Sequence, residues 1–88
     1  MRVVILNVQQ RLYEGVVSHV ILPAAQGELS LMDDHEPLFA ALTKGFIRMQ
    51  AATQVITASG ESTQVVKPIF IHRGLARMKG NELMVLVE

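Results

Sequence analysis

The chain has 88 residues, of which 50% are hydrophobic, with no cysteine and a formal net charge of +0 at neutral pH. This length allows one domain with a modest core, and the lack of cysteine excludes disulfides, thiolate metal ligands and cysteine nucleophiles. We expect no nucleic-acid partner, because the basic residues are dispersed and only one Tyr and three Phe could stack on bases.

Apolar runs are too short to cross a bilayer, since none reaches eighteen residues. The first residues, MRVVILNVQQ, lack the basic, apolar and small-residue sections of a signal peptide and are not rich in Arg and Ser like a transit sequence. We therefore expect no direct membrane span and a cytosolic compartment. We also expect no catalytic or cofactor site, because no nucleophile elbow or phosphate loop is present.

Strand signals follow one another along almost the whole chain, with turn chemistry every 8–12 residues. β-branched residues dominate the early runs, and leucine alternates with polar residues in GELSLM. Gly80-Asn81 supplies the positive-φ residues that a tight hairpin requires, and Pro68 predicts an edge or a bulge. The pattern indicates an all-β domain over residues 1–88, a flattened antiparallel β-sandwich or barrel. The predicted strands are RVVILNV, GVVSHVILP, GELSLM, GFIRMQA, TQVITAS, STQVVKPIFIH, GLARM and ELMVLVE.

Residues 33–45, DDHEPLFAALTKG, give a different local signal. Asp34 could cap a short helix, Pro37 would fit its first turn, and Gly45 would end it. Local propensity therefore predicts a helix here, with three apolar residues on one face: Leu38, Ala41 and Leu42.

The acidic cluster Asp33-Asp34-His35-Glu36 is the strongest candidate for chemistry. Carboxylate and imidazole groups bind metals, and neighbouring strands could add His19 or His72. In an extended chain, however, successive side chains point to opposite faces, so adjacent residues do not close on one ion. HEPLF also lacks the second histidine of HExxH. A small metal-binding β-domain that uses this cluster is the alternative function.

Charge is unevenly distributed along the chain. No Lys or Arg occurs between Arg11 and Lys44, whereas the later part is basic. The chain is neutral overall but has an acidic part and a basic part. This arrangement favours docking to a charged protein surface, because pairs between a carboxylate and a guanidinium are short and directional. The acidic part contains five carboxylates: Glu14, Glu28, Asp33, Asp34 and Glu36.

Short motifs occur in a fixed order: GELS at 27–30, DDHEPLF at 33–39 and GFIR at 45–48. This set resembles the N-terminal domain of the epsilon subunit of F-type ATP synthase, where Gly-Glu-Leu-Gly precedes Pro-Gly-His-Ala-Pro-Leu-Leu and an apolar-apolar-Arg strand. LYEGVVSHVILPAAQGEL and HRGLARMKGNELMVLVE resemble the family's flanking strands. The sequence departs from the pattern at Asp33-Asp34 for Pro-Gly, at Glu36 for Ala and at Arg73 for the first Gly of Gly-Gly, and residues 50–67 match poorly.

The resemblance implies a sandwich of about ten strands that performs no chemistry and binds no cofactor, with residues 33–45 extended. It implies a rotor subunit of the central stalk that binds the gamma subunit and the c-ring and couples H+ or Na+ translocation to ATP synthesis. We therefore expect a peripheral F1 component on the cytoplasmic face of the cell inner (plasma) membrane. Glu28 would face the c-ring, and Asn7, His35 and Ala40 would face gamma. Family members usually continue into a regulatory helical hairpin, which a chain ending at Glu88 would lack.

Overall fold

The computed structural model describes residues 1–51 and 65–88, and these form eight β-strands and no helix. The all-β class is therefore confirmed, while the predicted strand TQVITAS lies outside the described residues. The strands are β1 Arg2–Leu6, β2 Arg11–Ala24, β3 Gly27–Met32, β4 Leu38–Leu42, β5 Gly45–Ala51, β6 Val65–Ile71, β7 Gly74–Lys79 and β8 Glu82–Val87.

Strand β2, 14 residues long, belongs to both layers of the sandwich. Its first part pairs antiparallel with β1, and its second part pairs with β3 on one side and β5 on the other. A register shift between Val17 and His19 marks the change. One layer is β2–β1–β8–β7–β4 and the other is β3–β2–β5–β6. Ala24 pairs with Leu42 and returns β4 to β2, so the first layer closes into a flattened barrel.

Alternating side chains build the core. In β8 the residues Leu83, Val85 and Val87 point inward, whereas Met84 and Leu86 point outward. The same period of two recurs in β1, β3, β4, β5 and β7, as expected where one face of a sheet is covered and the other is not. The fully buried side chains are all apolar and come from both layers: Ile5, Leu22, Leu31, Ile47, Ile71, Met78, Leu83, Val3, Val17, Val20 and Val85.

The predicted hairpin at Gly80-Asn81 is confirmed. Both residues have positive φ, 58° and 61°, and Lys79 pairs directly with Glu82 across the two-residue turn. Two successive positive φ values define a type I′ turn, whose twist matches that of the strands it joins. The expectation for Pro68 is also confirmed, because the β5–β6 register shifts between Ile47 and Met49, opposite this proline.

The predicted helix within residues 33–45 is wrong. Leu38–Leu42 is strand β4, which pairs antiparallel with β7 over its whole length. Leu38 and Leu42 turn inward while Phe39 is exposed, so the segment also satisfies a period of two. A helix of about ten residues is only marginally stable alone, and pairing with β7 outweighs local propensity. The extended conformation implied by the resemblance is the one observed.

Candidate interaction surfaces

Glu28 lies beside the turn that joins β2 to β3. Ala25 and Gln26 form the turn, and Gly27 follows with a φ of 124°. The hairpin is fastened to β4, because the Ala25 N–H donates to the Ala41 carbonyl at 2.9 Å. The Glu28 side chain is 69% exposed. A carboxylate is thus presented to solvent on a rigid hairpin at one end of the sandwich.

Arg48 of β5 forms an ion pair with Glu28 across strand β2. Both side chains are exposed, so the pair adds little to stability. A carboxylate has about four lone-pair positions, however, and can accept from a second guanidinium at the same time. Lys44 lines the same groove of about 480 Å³ beside Glu28 and Arg48. The sequence pointed to Glu28 but not to its basic neighbours, Arg48 on β5 and Lys44 just before β5.

The acidic turn after β3 connects three parts of the fold. Asp33 pairs with the Met1 ammonium group, and the Asp34 N–H donates to the Asn81 side-chain oxygen at 3.0 Å. Asp34 has a φ of 62°, in the left-handed region that Asp tolerates better than most residues. His35 is half-buried, and its Nδ1 lies 2.9 Å from the Glu36 carbonyl oxygen. Because a carbonyl only accepts, Nδ1 carries the proton in this contact.

The alternative metal site gains no support from this geometry. Among residues 1–51 and 65–88, no three His, Asp or Glu side chains are grouped so as to hold an ion. Asp33 forms an ion pair with the Met1 ammonium group. His19 contacts Ser30 at 2.5 Å on the other layer. The members of the sequence cluster therefore make separate contacts and do not share one centre.

Asn7 shapes the loop that follows β1. Its side-chain oxygen accepts the N–H groups of Gln9 and Gln10 at 2.8 and 2.7 Å, and its own N–H donates to the Gln10 carbonyl at 3.0 Å. An Asn side chain that mimics a backbone turn in this way is a common loop device. Asn7 also lines a groove of about 530 Å³ with Leu6, Leu75 and other residues.

The residues expected to face gamma do not form one cluster. Asn7 follows Leu6, which pairs with Leu86, whereas His35 lies near Asn81 at the other end of the same layer. Four residues of strand, about 13 Å, separate those two ends. Ala40 lies between them on β4, but it is half-buried and packs against the core.

An exposed apolar surface covers the outside of the first layer, and the sequence pattern alone did not locate it. We call it the outer apolar face. Side chains alternate between the two faces of a strand, so these residues could be named once it was known which alternate positions point inward. For β4 that knowledge required its pairing with β7. Its members are the exposed residues Phe39, Ala41, Leu75, Met84 and Leu86 and the half-buried Val4 and Leu6, with Arg77 beside Phe39.

Cations from either side of the acidic segment pair with its carboxylates. Glu14 binds Arg2 and also Arg11, the latter at 2.6 Å, and Glu28 binds Arg48. The uneven charge along the sequence therefore does not produce a purely acidic surface, because folding brings cations from outside the acidic segment to its carboxylates.

These features define an all-β module whose described surface presents a charged hairpin and an exposed apolar sheet face. The family model for the ATP synthase delta/epsilon chain, β-sandwich domain, matches residues 1–88. The chain belongs to this family.

Curated relatives agree with that assignment, and a solved structure shares the fold. An ATP synthase epsilon chain of Neisseria meningitidis is 27% identical over 88 residues, which are 100% of this chain and 56% of the relative. One of Bartonella quintana is 37% identical over 75 residues, 85% of this chain and 46% of the relative. A chain in the central stalk and c-ring structure of Tetrahymena thermophila mitochondrial ATP synthase has the same fold, with a TM-score of 0.72 and 14% identity over 99% of this chain and 62% of that one.

The chain spans about half the length of the relatives that it matches. In the part of the chain that the structure describes, no helix is long and apolar enough to cross a membrane.

Proposed function

We propose that this chain is the β-sandwich part of a non-catalytic rotor subunit in the central stalk of F-type ATP synthase. In this role it binds the gamma subunit and the c-ring and couples ion translocation to ATP synthesis. It does so as a peripheral part of F1 on the cytoplasmic face of the inner membrane. The observation that supports this most is the family match over all 88 residues.

Glu28 is the residue proposed to meet the c-ring. The carboxylate is 69% exposed on a hairpin fastened to β4, and it retains acceptor positions beyond the pair with Arg48. A guanidinium from a partner can therefore bind without displacing Arg48. Charged groups at the edge of an interface set orientation and specificity more than raw affinity, so we expect Glu28 to act on coupling rather than on assembly.

The substitution Glu28→Arg tests this role. We expect it to lower ATP synthesis driven by the ion gradient at least several-fold, with much less effect on ATPase activity of the soluble F1 complex. Equal loss of both activities would contradict the assignment to the c-ring.

A charge-swapped double variant, Glu28→Arg with Arg48→Glu, separates a partner role from a structural one. The swap restores an internal ion pair but leaves a cation where the partner requires a carboxylate. We expect coupled synthesis to stay low in the double variant. Recovery would show that Glu28 matters only for its contact with Arg48.

The gamma contact has its own test, which is co-elution of the full chain with purified gamma at micromolar concentration in size-exclusion chromatography. Separate elution would count against the proposed function as a whole.

A further inference from the structure

Two turns lie side by side at one end of the sandwich. The first joins β2 to β3, and the second joins β4 to β5. In the first turn the Ala25 N–H donates to the Ala41 carbonyl at 2.9 Å. In the second the Thr43 N–H donates to the Pro23 carbonyl at 2.8 Å. Because each bond joins one turn to the strand that leads into the other, the two turns keep a fixed relative position.

The start of β5 packs closely against β2. A Cβ built on Gly45 would lie 2.8 Å from the Pro23 Cβ, so the two backbones have no room to approach further. The proline ring is locked into the backbone and cannot swing away. Lys44, the residue before Gly45, is therefore presented from a position that the neighbouring strand holds in place.

Three charged side chains meet in the groove beside these turns. Glu28, Lys44 and Arg48 line a groove of about 480 Å³ at the edge of the second layer, away from the outer apolar face. Glu28 forms an ion pair with Arg48. Lys44 is exposed and makes no ion pair with any residue that the structure describes. The groove therefore contains one compensated pair and one free ammonium group.

Apolar side chains complete the wall of this groove. Pro23, Phe46 and Pro68 line it together with the three charged residues. A partner segment that fills the groove covers these side chains and shields the ammonium group from water. Shielding from water strengthens the attraction between unlike charges. A carboxylate that enters the groove is therefore held more firmly than one that meets a lysine on an open surface.

Lys79 provides a contrast at the other end of the first layer. It lies five residues beyond Gly74 on β7, about 17 Å along the strand. Across the hairpin Lys79 faces Glu82, which makes no ion pair with any described residue. Among the described residues that line the Lys44 groove, the one carboxylate is already paired with a guanidinium.

We propose that this groove is the docking site of a c-ring segment that places a guanidinium on Glu28 and a carboxylate on Lys44. The inference rests on the proposed function and adds to it a second charged contact and the charge pattern that the partner carries. Two contacts of opposite sign fix the orientation of the bound segment, because the reversed orientation would bring like charges together. Lys44 is thus a specificity-determining residue for coupling.

Zero-length coupling with a water-soluble carbodiimide tests the contact in the intact membrane-bound complex, because this reagent joins an amine only to a carboxylate that touches it. We expect mass spectrometry to find Lys44 joined to a carboxylate of the c-ring. The variant Lys44→Arg should lose this product and keep ATP synthesis within about twofold, since a guanidinium retains the charge but is not coupled.

Charge reversal tests the role in coupling. We expect Lys44→Glu to lower ATP synthesis driven by the ion gradient at least about threefold, because a charge at the edge of an interface governs orientation and specificity. ATPase activity of the soluble F1 complex and the thermal unfolding temperature of the chain should not change. Lys79→Glu, the matched control, alters the net charge equally and should support synthesis at the unmodified rate.

The outcomes separate this inference from the proposed function. If Glu28→Arg lowers coupled synthesis and Lys44→Glu does not, the inference is overturned while the proposed function stands. If neither variant lowers it, both fail. Coupling of Lys44 to Glu28 within the chain, or to gamma, would also overturn the inference, because the partner of the ammonium group would then lie outside the c-ring.

Discussion

Asn81 has two structural roles, one through its backbone conformation and one through its side chain. Its φ of 61° completes the type I′ turn between β7 and β8, and its side-chain oxygen accepts the N–H of Asp34 at 3.0 Å. The Arg2 N–H donates to its carbonyl at 3.1 Å. A single residue therefore joins the turn after β3, the β7–β8 hairpin and the start of β1.

Two substitutions at Asn81 separate the contribution of its backbone conformation from that of its side-chain acceptor. Asn81→Ala loses the acceptor and places an alanine in the left-handed region, so we expect a loss of about 1–2 kcal/mol in the free energy of unfolding. Asn81→Gly loses only the acceptor and should cost about 0.5–1 kcal/mol. Urea unfolding measures both. Equal losses in the two variants would show that backbone conformation contributes nothing here.

At the residue scale, sequence predicted the backbone better than the contacts. Positive φ at Gly80-Asn81 follows from residue type, and Asp34 adopts the same conformation where the resembling pattern has glycine. The partner of Glu28 was not predictable, because Arg48 is 20 positions away and reaches it only after β5 has paired with β2. Local chemistry specifies turns, whereas side-chain partners depend on strand register.

Strands β7 and β8 approach each other closely at Gly74. A Cβ built on this residue would lie 2.4 Å from the Leu86 carbonyl oxygen and 3.1 Å from a Val87 methyl carbon. The contact with a backbone atom in a paired strand cannot be relieved by a rotamer change. The resembling family pattern has Gly-Gly at this point, and the chain keeps the second of the two glycines.

Gly74→Ala should therefore separate these strands locally. We expect a loss of about 1–3 kcal/mol in unfolding free energy, in the range of overpacked cores. The matched control is Gly15→Ala, whose Cβ meets the Tyr13 hydroxyl at 2.8 Å, the far end of a side chain that can move away. The control should cost clearly less. Thermal melts suffice, since 1 kcal/mol corresponds to about 4–8 °C in a domain of this size.

Among the elements, β4 shows where local reasoning fails. DDHEPLFAALTKG carries helix start and stop residues, yet five of its residues form a strand because β7 offers a paired edge. That pairing determines which side chains of β4 point inward, and hence that Phe39 is exposed. The exposed face could not be assigned from sequence while the segment was taken for a helix.

At the scale of the whole molecule, β2 makes the two layers interdependent. Leu22 lies in the second part of this strand, is 0% exposed and belongs to the core cluster that the described residues form. The same strand pairs with β1 in the first layer and with β5 in the second. If β2 separates from its partner strands in one layer, the core side of the other layer is exposed as well.

Leu22→Ala should accordingly weaken both layers together. Deletion of buried methyl groups costs about 2–5 kcal/mol, which is a large fraction of the stability of a small domain. We expect hydrogen exchange to accelerate by similar factors in β5 and β8. Acceleration confined to β5 would mean that the layers open separately. Val16→Ala, at a side chain 57% exposed on the same strand, is the control and should change little.

Fold class was predictable at this scale because period-two alternation and turn residues recur throughout the chain. The arrangement of the layers was not predictable, because it depends on the register shift in β2 and on the pairing of Ala24 with Leu42. The interaction surfaces depend on that arrangement, so they emerge only from the three-dimensional structure.

The pairing of β1 with β8 has a consequence for synthesis of the protein. These strands are parallel neighbours, with Arg2 opposite Glu82 and Leu6 opposite Leu86. During translation β1 is made first, and the edge of β1 that pairs with β8 stays uncovered until β8 has left the ribosome. Long-range closure of this kind slows folding. Until then, one edge of β1 is open to strands of other chains, so the unfinished chain is most prone to aggregate in this interval.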